Sequence, residues 1–220
     1  MKRIFVLIIF LISLGNYKEK TTKLLIIGDS ISIGYFPYLQ QELKIYNVLV
    51  AHNEGNARDT GNGLNNIKKW IGNNKNWDII QFNFGLWDLC YRNKDLQDSE
   101  SLDKINGKLT TSIEKYKENL DSIVQTLKTL TRAKLIYVTT TYVPEGEHGR
   151  YSIDAVKYND AAKEIMKKHL IMVNDIYSQS MLIHNRFGKE ANNVHYSNDG
   201  YNELGKLILP TLIEEVVKLK

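Results

Sequence analysis

The fold of this chain can be inferred outward from one short stretch, Ile26-Ile27-Gly28-Asp29-Ser30-Ile31-Ser32-Ile33-Gly34. An apolar run from Leu24 to Ile27 stops abruptly at Gly-Asp-Ser and gives way to a helical pattern. This is how a buried strand delivers a polar side chain to the edge of an α/β sheet. Two interpretations fit these residues taken alone. Ser30 is a nucleophile at that edge, or Gly-Asp-Ser is a turn whose Asp or Ser caps the following helix.

Apolar strands and amphipathic helices alternate along the rest of the chain. The apolar runs predict strands at residues 23–27, 48–51, 78–84, 134–140 and 170–173. The helical patterns predict helices at 33–43, around Leu64 to Ile71, and at 111–130, 153–168 and 199–217. Pro37 is placed near the first turn of the first helix, where its missing N–H costs little. This alternation predicts an α/β fold in which a five-stranded parallel sheet has helices on both faces.

Polar segments gather at one edge of the predicted sheet. Ligands of parallel sheets bind beyond the carboxyl ends of the strands. Five polar sites are expected beyond those ends: Ser30, the loop 52–61, the segment 83–88, the loop 144–150 and His195, just before the last helix. The long polar segment 89–108 is expected to cross the same edge and shape a substrate site.

The first residues indicate export. Lys2 and Arg3 precede an apolar core from Ile4 to Leu14, and residues 13–15 supply small side chains, so residues 1–15 are predicted to be a signal peptide. The alternative is an uncleaved membrane anchor, because the cleavage signal is poor, although the core is short for a membrane span. Residues 16–22 are expected to be a linker, and 23–220 a single domain of sufficient length to bury a core.

Composition argues against several classes of function. The formal charge is +4, and Lys2 and Arg3 contribute two of these charges, so neither nucleic acid nor an anionic membrane is an expected partner. Cys90 is the only cysteine, so no intramolecular disulfide is possible, and it is expected to be a small core residue rather than a nucleophile. The histidines at 52, 148, 169 and 184 lack metal-ligand spacing, and neither a metal nor a cofactor is expected.

Ser30 and His195 form a suitable catalytic pair. A serine hydroxyl becomes a nucleophile at neutral pH when a base takes its proton, and histidine is the usual base. Acyl transfer also needs hydrogen-bond donors for the oxyanion of the tetrahedral intermediate. The candidates are the N–H of Ser30, an N–H near Arg58 or Gly61, and an amide from the loop after the third strand.

These residues resemble the SGNH (GDSL) hydrolases, the esterases and lipases named for a Ser, a Gly, an Asn and a His in four sequence blocks. Gly28-Asp29-Ser30-Ile31 is similar to the first block, which implies that Ser30 is the nucleophile. The stretch from Val194-His195-Tyr196 to Gly200-Tyr201 is similar to the last block, which implies that His195 is the base. The order of strands and helices also matches the flavodoxin-like three-layer α/β/α sandwich of that family.

The two middle blocks depart from the family's pattern. The third block, Gly-x-Asn-Asp, is Gly85-Leu86-Trp87-Asp88 here, so Trp87 replaces the Asn that donates to the oxyanion. An indole N–H can donate one hydrogen bond. Asn83 is a second candidate for this role, or alternatively satisfies nearby loop backbone. Arg58 stands where the second block implies a Gly.

Further residues are expected to support the site. Asp29 and Gly85 belong to the first and third blocks and are counted as supporting residues. Asp88 is expected to join the Ser30 loop to the loop after the third strand by accepting backbone N–H bonds. Trp87 is a candidate platform for a sugar ring. His148 and Arg150 are expected to be solvated on their loop, with substrate contact as the alternative.

The third member of a catalytic triad has changed. The family's last block is commonly Asp-x-x-His, and Asn192 stands in the position of this Asp. An amide accepts a hydrogen bond from the imidazole but adds no charge and can favour the wrong tautomer, and loss of the carboxylate costs up to about 10⁴-fold in a serine protease. Four outcomes stay open: a slow enzyme, a Ser-His dyad held by a backbone carbonyl or amide, recruitment of Glu190 or another carboxylate, and an inactive site.

The sequence therefore predicts an exported serine esterase that removes a short acyl group, such as acetyl, from a carbohydrate or another small ester. The alternative is a catalytically degenerate domain that binds a glycan or a partner through the same edge. A flavodoxin-like protein that binds phosphate with the loop 28–32 is disfavoured, because that turn lacks a Gly-rich cradle.

Overall fold

The computed structural model describes residues 20–73, 76–93, 95–96 and 101–220. The predicted signal peptide, residues 1–15, and residues 16–19 of the predicted linker lie outside these ranges. None of the helices within them combines the length and the apolar character that a membrane crossing requires.

A central sheet of five parallel strands carries the fold, as predicted. The strands are β1 (Thr22–Ile27), β2 (Val48–His52), β3 (Ile79–Phe82), β4 (Tyr91–Arg92), β5 (Lys108–Leu109), β6 (Lys134–Val138) and β7 (Met172–Asn174). The order in the sheet is β2-β1-β3-β6-β7, while β4 and β5 form a separate antiparallel pair. The strand β1 lies inside the sheet, between β2 and β3, and its residues 24–27 are almost fully buried, because helices cover both faces of the sheet.

Two layers of helices enclose the sheet. The helices are α1 (Ser30–Glu42), α2 (Thr60–Ile71), α3 (Ile113–Leu130), α4 (Ser152–Lys168), α5 (Tyr177–Phe187) and α6 (Asn198–Lys218), with a 3₁₀ turn at Leu43–Tyr46. One layer is formed by α1, α5 and α6, since α6 contacts both of the others; α3 contacts α2 and α4 in the second layer. The predicted three-layer α/β/α sandwich is confirmed.

The helix α1 begins three residues earlier than its predicted start. Asp29 caps it, because the Oδ1 atom of Asp29 accepts the N–H of Ile31 at 2.9 Å, so Ser30 is the first helical residue. Pro37 therefore lies in the helix interior and not in the first turn as predicted. There it offers no N–H to the carbonyl of Ile33, four residues earlier.

The two long polar loops meet over the carboxyl edge of the sheet. The N–H of Tyr91 donates to the carbonyl of Gly149 at 2.6 Å, and that of Lys104 to the carbonyl of His148 at 2.7 Å. The described part of the 89–108 segment is thus fixed to the 144–150 loop by backbone hydrogen bonds. Together they form one wall beside Ser30.

Candidate active site

Ser30 and His195 meet at the carboxyl edge of the sheet. Ser30 follows β1 directly, and His195 lies just before α6. The Oγ atom of Ser30 is 2.9 Å from the Nε2 atom of His195. Both residues line a cavity of about 430 Å³, which we call the Ser30 cavity. Its wall also contains residues from the loops around Asn56, Leu86, Arg92, Leu102, Glu147 and Glu190.

An amide oxygen orients His195. The Oδ1 atom of Asn193 lies 2.7 Å from the Nδ1 atom of His195 and also accepts the backbone N–H of His195 at 3.0 Å. A backbone N–H is always a donor, so it fixes the oxygen of the amide at this position. The Nδ1 atom must then carry the ring proton, which leaves Nε2 as the acceptor for the hydroxyl of Ser30. The amide thus imposes the tautomer that a nucleophilic serine needs.

Asn192 does not fill the position that the Asp-x-x-His pattern implies. Its Nδ2 atom lies 2.9 Å from the Nε2 atom of His148, on the rim of the cavity. Glu190 contributes its backbone carbonyl to the N–H of Asn193 at 3.2 Å. The observed arrangement is therefore the amide-held dyad, with Asn193 in place of the predicted Asn192.

His184 fixes the position of Asn193 through the backbone carbonyl of Asn193. The side chain of His184 is buried in α5, and its Nε2 atom lies 2.7 Å from the carbonyl oxygen of Asn193. Tyr142 and Tyr196 pack edge-on against the imidazole of His184. The last turn of α5 also binds the His195 loop, because the N–H of Ser197 donates to the carbonyl of Phe187 at 2.8 Å.

The environment of His195 favours a neutral imidazole. Burial lowers the pKa of His195, and the nearby charges of Arg150 and Lys189 lower it further. A histidine with a lowered pKa is unprotonated at neutral pH, as a general base must be.

Asn83, one candidate for the oxyanion donor, is not among the residues that line the Ser30 cavity. Its Nδ2 atom donates to the carbonyl of Val138 at 2.8 Å, which ties β3 to β6. This bond corresponds to the second role predicted for Asn83, in which its amide satisfies a nearby backbone group. Trp87 does line the Ser30 cavity, but the guanidinium of Arg92 lies over its ring, 4.6 Å from the centroid. The guanidinium of Arg58 lies 5.6 Å from the same centroid.

Arg58 adopts the backbone conformation that favours glycine. Its φ is +55°, in the left-handed region. The N–H of Arg58 donates to the Oδ1 atom of Asn56 at 2.8 Å. The backbone at Arg58 therefore keeps the shape that the Gly of the second block implies, while its donor is already occupied.

Asp88 joins different loops from the predicted ones. Its buried carboxylate accepts the N–H of Thr60 at 3.0 and 3.1 Å and the hydroxyl of Thr60 at 2.6 Å. Asp88 thus fixes the start of α2, next to Arg58, to the loop after β3; the predicted link to the Ser30 loop is wrong. Burial raises the pKa of Asp88 to about 7.

Position 85 accommodates only glycine, because of its backbone conformation and the closeness of Thr140. Its φ is +153°, and a Cβ atom at this position would collide with the Oγ1 atom of Thr140. The adjacent carbonyl of Phe84 accepts the hydroxyls of Tyr116 and Tyr137 at 2.9 and 2.8 Å. The backbone that leads from β3 to Trp87 is therefore held firmly.

Arg150 is buried rather than solvated as predicted. Only 5% of its surface is exposed, and Glu147 beside it is 2% exposed. The Nε atom of Arg150 donates to the carbonyl of Leu86 at 2.7 Å, and Nη1 donates to the Oε1 atom of Glu147 at 2.7 Å. The Oε2 atom of Glu147 accepts the N–H of Gly149 at 2.7 Å. A buried ion pair therefore forms part of the cavity wall.

Sequence reasoning missed the roles of Asn193, His184 and Arg150. Asn193 differs from the predicted residue by one position, because the Asp-x-x-His spacing selects Asn192. His184 lies in a helix that the pattern does not predict. The i, i+3 spacing of Glu147 and Arg150 was the one available signal, since opposite charges at that spacing can pair.

The described residues contain no group of three or more His, Cys, Asp or Glu side chains that could hold a metal ion. Cys90 is buried, as predicted, and burial raises the pKa of its thiol.

Comparison with protein-family models and with curated protein sequences finds no match to this chain. Solved structures do match. A lipase/acylhydrolase from Enterococcus faecalis superposes with a TM-score of 0.68 at 20% identity, covering 87% of this chain and 95% of its own. The acetyl xylan esterase AlAXEase gives 0.66 at 14% identity, covering 86% of this chain and 98% of its own. An acetylxylan esterase from Geobacillus stearothermophilus gives 0.66 at 16% identity, covering 89% and 94%.

At these identities the likeness establishes the fold. The chain folds as these ester hydrolases do over nearly their whole length, which confirms at the level of the fold the resemblance seen in the sequence.

Proposed function

We propose that this chain is a serine esterase of the SGNH type, with Ser30 as the nucleophile and His195 as the base. One observation carries the proposal: the Oγ atom of Ser30 lies 2.9 Å from an Nε2 atom that the Asn193 amide keeps free to accept a proton. The fold shared with a lipase/acylhydrolase and with acetyl xylan esterases supports it.

The reaction proceeds in two acyl transfers. As Oγ of Ser30 attacks the ester carbonyl, its proton passes to Nε2 of His195 and the carbonyl oxygen becomes an oxyanion. The intermediate collapses, the bond to the alcohol breaks, and Nε2 returns its proton to the leaving oxygen. Water then attacks the acyl-Ser30 ester with His195 again as the base, which releases the carboxylic acid and restores the hydroxyl.

The substrate is proposed to be a short-chain ester, such as an acetyl ester of a carbohydrate. The wall of the cavity of about 430 Å³ combines polar residues with the apolar side chains of Leu86, Leu102 and Val194. Two of the structural neighbours are named as acetyl xylan esterases. Trp87 contributes an aromatic surface to the wall, although Arg92 lies over its ring. Export by the N-terminal segment, which would bring the enzyme to extracellular glycans, is part of this proposal.

Hydrolysis of p-nitrophenyl acetate by the protein and by Ser30→Ala tests the assignment. Loss of the nucleophile should lower kcat/KM by about 10³-fold or more. Ser122→Ala is the matched control, because this exposed serine lies on α3 and its hydroxyl bonds only to its own helix. Equal rates for the protein and Ser30→Ala would sink the proposal.

The competing proposal is a degenerate domain that binds a glycan without turnover. The amide at Asn193 and the changed residues Arg58 and Trp87 favour it. Binding of acetylated xylo-oligosaccharide that is unaffected by Ser30→Ala, together with no turnover by the unaltered protein, is the result that this alternative requires.

A further inference from the structure

Most of the donors expected for the oxyanion from the sequence and the family pattern are not available in this cavity. Asn83 does not line it and donates to the carbonyl of Val138, and the N–H of Arg58 donates to Asn56. Trp87 stands in the position of the family's donating Asn. The N–H of Ser30 remains. One neutral backbone donor is a weak counterpart for a full negative charge, since such sites normally use two or three donors.

Arg150 is the buried cation in the same wall. The other charged or titratable residues that line the cavity are Asp29, Arg92, Glu147, His148, Glu190 and His195. Arg92 is only partly buried, lies over Trp87 and donates through Nη1 to Ser101 at 2.7 Å. Arg150, in contrast, is 95% buried, since only 5% of its surface is exposed.

The hydrogen bonds of Arg150 leave one nitrogen available. Its Nε and Nη1 atoms donate to Leu86 and Glu147, while Nη2 has no hydrogen-bond partner within the described part of the chain. The two bonds fix the guanidinium plane, and the carboxylate of Glu147 offsets the cost of burying its charge. Arg150 lines the same cavity as Ser30, and a fixed, charged group with one unused donor nitrogen is suited to binding an anion there.

We propose that Arg150 stabilises the oxyanion of the tetrahedral intermediate, in place of the Asn that this chain lacks. This inference rests on the proposed esterase function. The guanidinium is held before the reaction by Leu86 and Glu147, so little reorganisation is needed as charge develops. Its bond to Leu86 also orients the peptide that leads into Trp87. The change from Asn to Trp at position 87 is thereby compensated from another loop.

The first test compares Arg150→Gln with Arg132→Gln in hydrolysis of p-nitrophenyl acetate. Arg132 is an exposed residue between α3 and β6, at the opposite end of the sheet, and undergoes the same chemical change. Removal of an oxyanion donor should lower kcat by about 10²-fold or more, with KM changed by less than about threefold. Arg132→Gln should leave both constants unchanged.

Inhibition by phenylboronic acid measures how well the site binds an anionic analogue of the tetrahedral intermediate. The boron atom forms a tetrahedral anionic adduct with a serine oxygen and so resembles the intermediate. We expect the inhibition constant of Arg150→Gln to rise about tenfold or more relative to the unaltered protein. An unchanged inhibition constant, or an effect on KM alone, overturns the role of Arg150.

A second variant separates this role from a purely structural one. Arg150→Gln leaves Glu147 buried and unpaired, which can unfold the loop. The double variant Glu147→Gln with Arg150→Met removes both charges, and its melting temperature reports folding. A folded double variant with a normal kcat overturns the proposal, and a folded one with the same loss of kcat supports it.

If Ser30→Ala abolishes hydrolysis while Arg150→Gln does not change it, only this inference fails. If the unaltered protein does not hydrolyse the ester, both proposals fail.

Discussion

His195 has an amide oxygen at its Nδ1 atom where a Ser-His-Asp triad has a carboxylate. The amide of Asn193 supplies the orientation and the tautomer, because its oxygen also accepts the backbone N–H of His195. It supplies no negative charge to stabilise the imidazolium that forms as Ser30 loses its proton. We therefore expect a correctly aligned but slow base.

A carboxylate at position 193 should accelerate the reaction, whereas one at 192 should not. Asn193→Asp keeps both hydrogen bonds to His195 and adds charge at 2.7 Å from Nδ1. We expect kcat for p-nitrophenyl acetate to rise tenfold or more, roughly 1.4 kcal/mol in the barrier. Asn192→Asp is the matched control, because that side chain faces His148. A larger gain from Asn192→Asp would show that the orienting residue has been misassigned.

The same pair of variants should differ in pH dependence. Burial lowers the pKa of His195 below its ordinary value of 6.5, so activity, which needs the neutral imidazole, should persist below pH 6.5 and be lost as pH falls through the lowered pKa. A carboxylate at 193 stabilises the imidazolium and raises this pKa. The acid limb of kcat/KM against pH should therefore move to higher pH in Asn193→Asp and stay in place in Asn192→Asp.

For individual residues, the sequence predicts that Ser30 and His195 meet, but it does not predict which residue orients His195. Ser30 and His195 are brought together as their motifs predict. The partner of His195 is set by which of two adjacent amides turns inward, and this depends on the bond from His184 to the backbone of Asn193. Such long-range packing leaves no local pattern in the chain.

Among the elements, the loop before α2 and the turn between α4 and β7 each contain a residue with a strained backbone. Arg58 and Leu170 are non-glycine residues with φ values of +55° and +56°. A side chain in this region costs about 1–2 kcal/mol. Glycine removes that cost but adds entropy to the unfolded chain, about 0.4–1 kcal/mol.

Substitution by glycine should stabilise the protein at position 170 and leave its stability nearly unchanged at position 58. Leu170 is 93% exposed, so Leu170→Gly loses little packing and should raise the free energy of unfolding by about 0.5–1 kcal/mol. Arg58→Gly also loses the contact with Trp87, worth about 0.5–1 kcal/mol, and should be close to neutral. Urea denaturation of the two variants measures the difference, and a greater gain from Arg58→Gly would contradict the role given to that contact.

The sequence predicts the helices and strands correctly except where the buried side chains of an element are polar or where a capping residue extends a helix. The five strands of the main sheet and five of the helices lie where apolar periodicity predicts them, within a few residues. The helix α5 is absent from the prediction because its buried residues are Ser180 and His184, neither of which contributes to an apolar stripe. The start of α1 is missed because the cap of Asp29 extends it back to Ser30.

At the scale of the whole molecule, the contact between α1 and α6, which we call the seam, determines whether Ser30 and His195 meet. Gly34 in α1 packs against the ring of Tyr201 in α6, and Gly205 in α6 packs against Tyr38 in α1. A Cβ atom at either glycine would overlap a tyrosine ring. The helix α1 begins with Ser30, and α6 follows His195, so the spacing of the helices sets the spacing of the pair.

Gly34→Ala should therefore impair both stability and catalysis. Overpacking of this kind costs about 1–3 kcal/mol. We expect a lower melting temperature and a reduced kcat for p-nitrophenyl acetate at temperatures where the variant is folded. Gln41→Ala, at an exposed position of the same helix, is the control and should change neither. A destabilised variant with full kcat would show that the seam does not set the site geometry.

The hydrogen bond between Ser30 and His195 joins residues 165 positions apart. Contacts of such large sequence separation form late, because a long loop must close before they contribute. During synthesis Ser30 is made well before His195 and the helix α6 that packs against α1. Ser30 therefore has no hydrogen-bond partner in His195 until the chain between them has been made and α6 has packed against α1, and under the proposed function no hydrolysis can begin before that contact has formed.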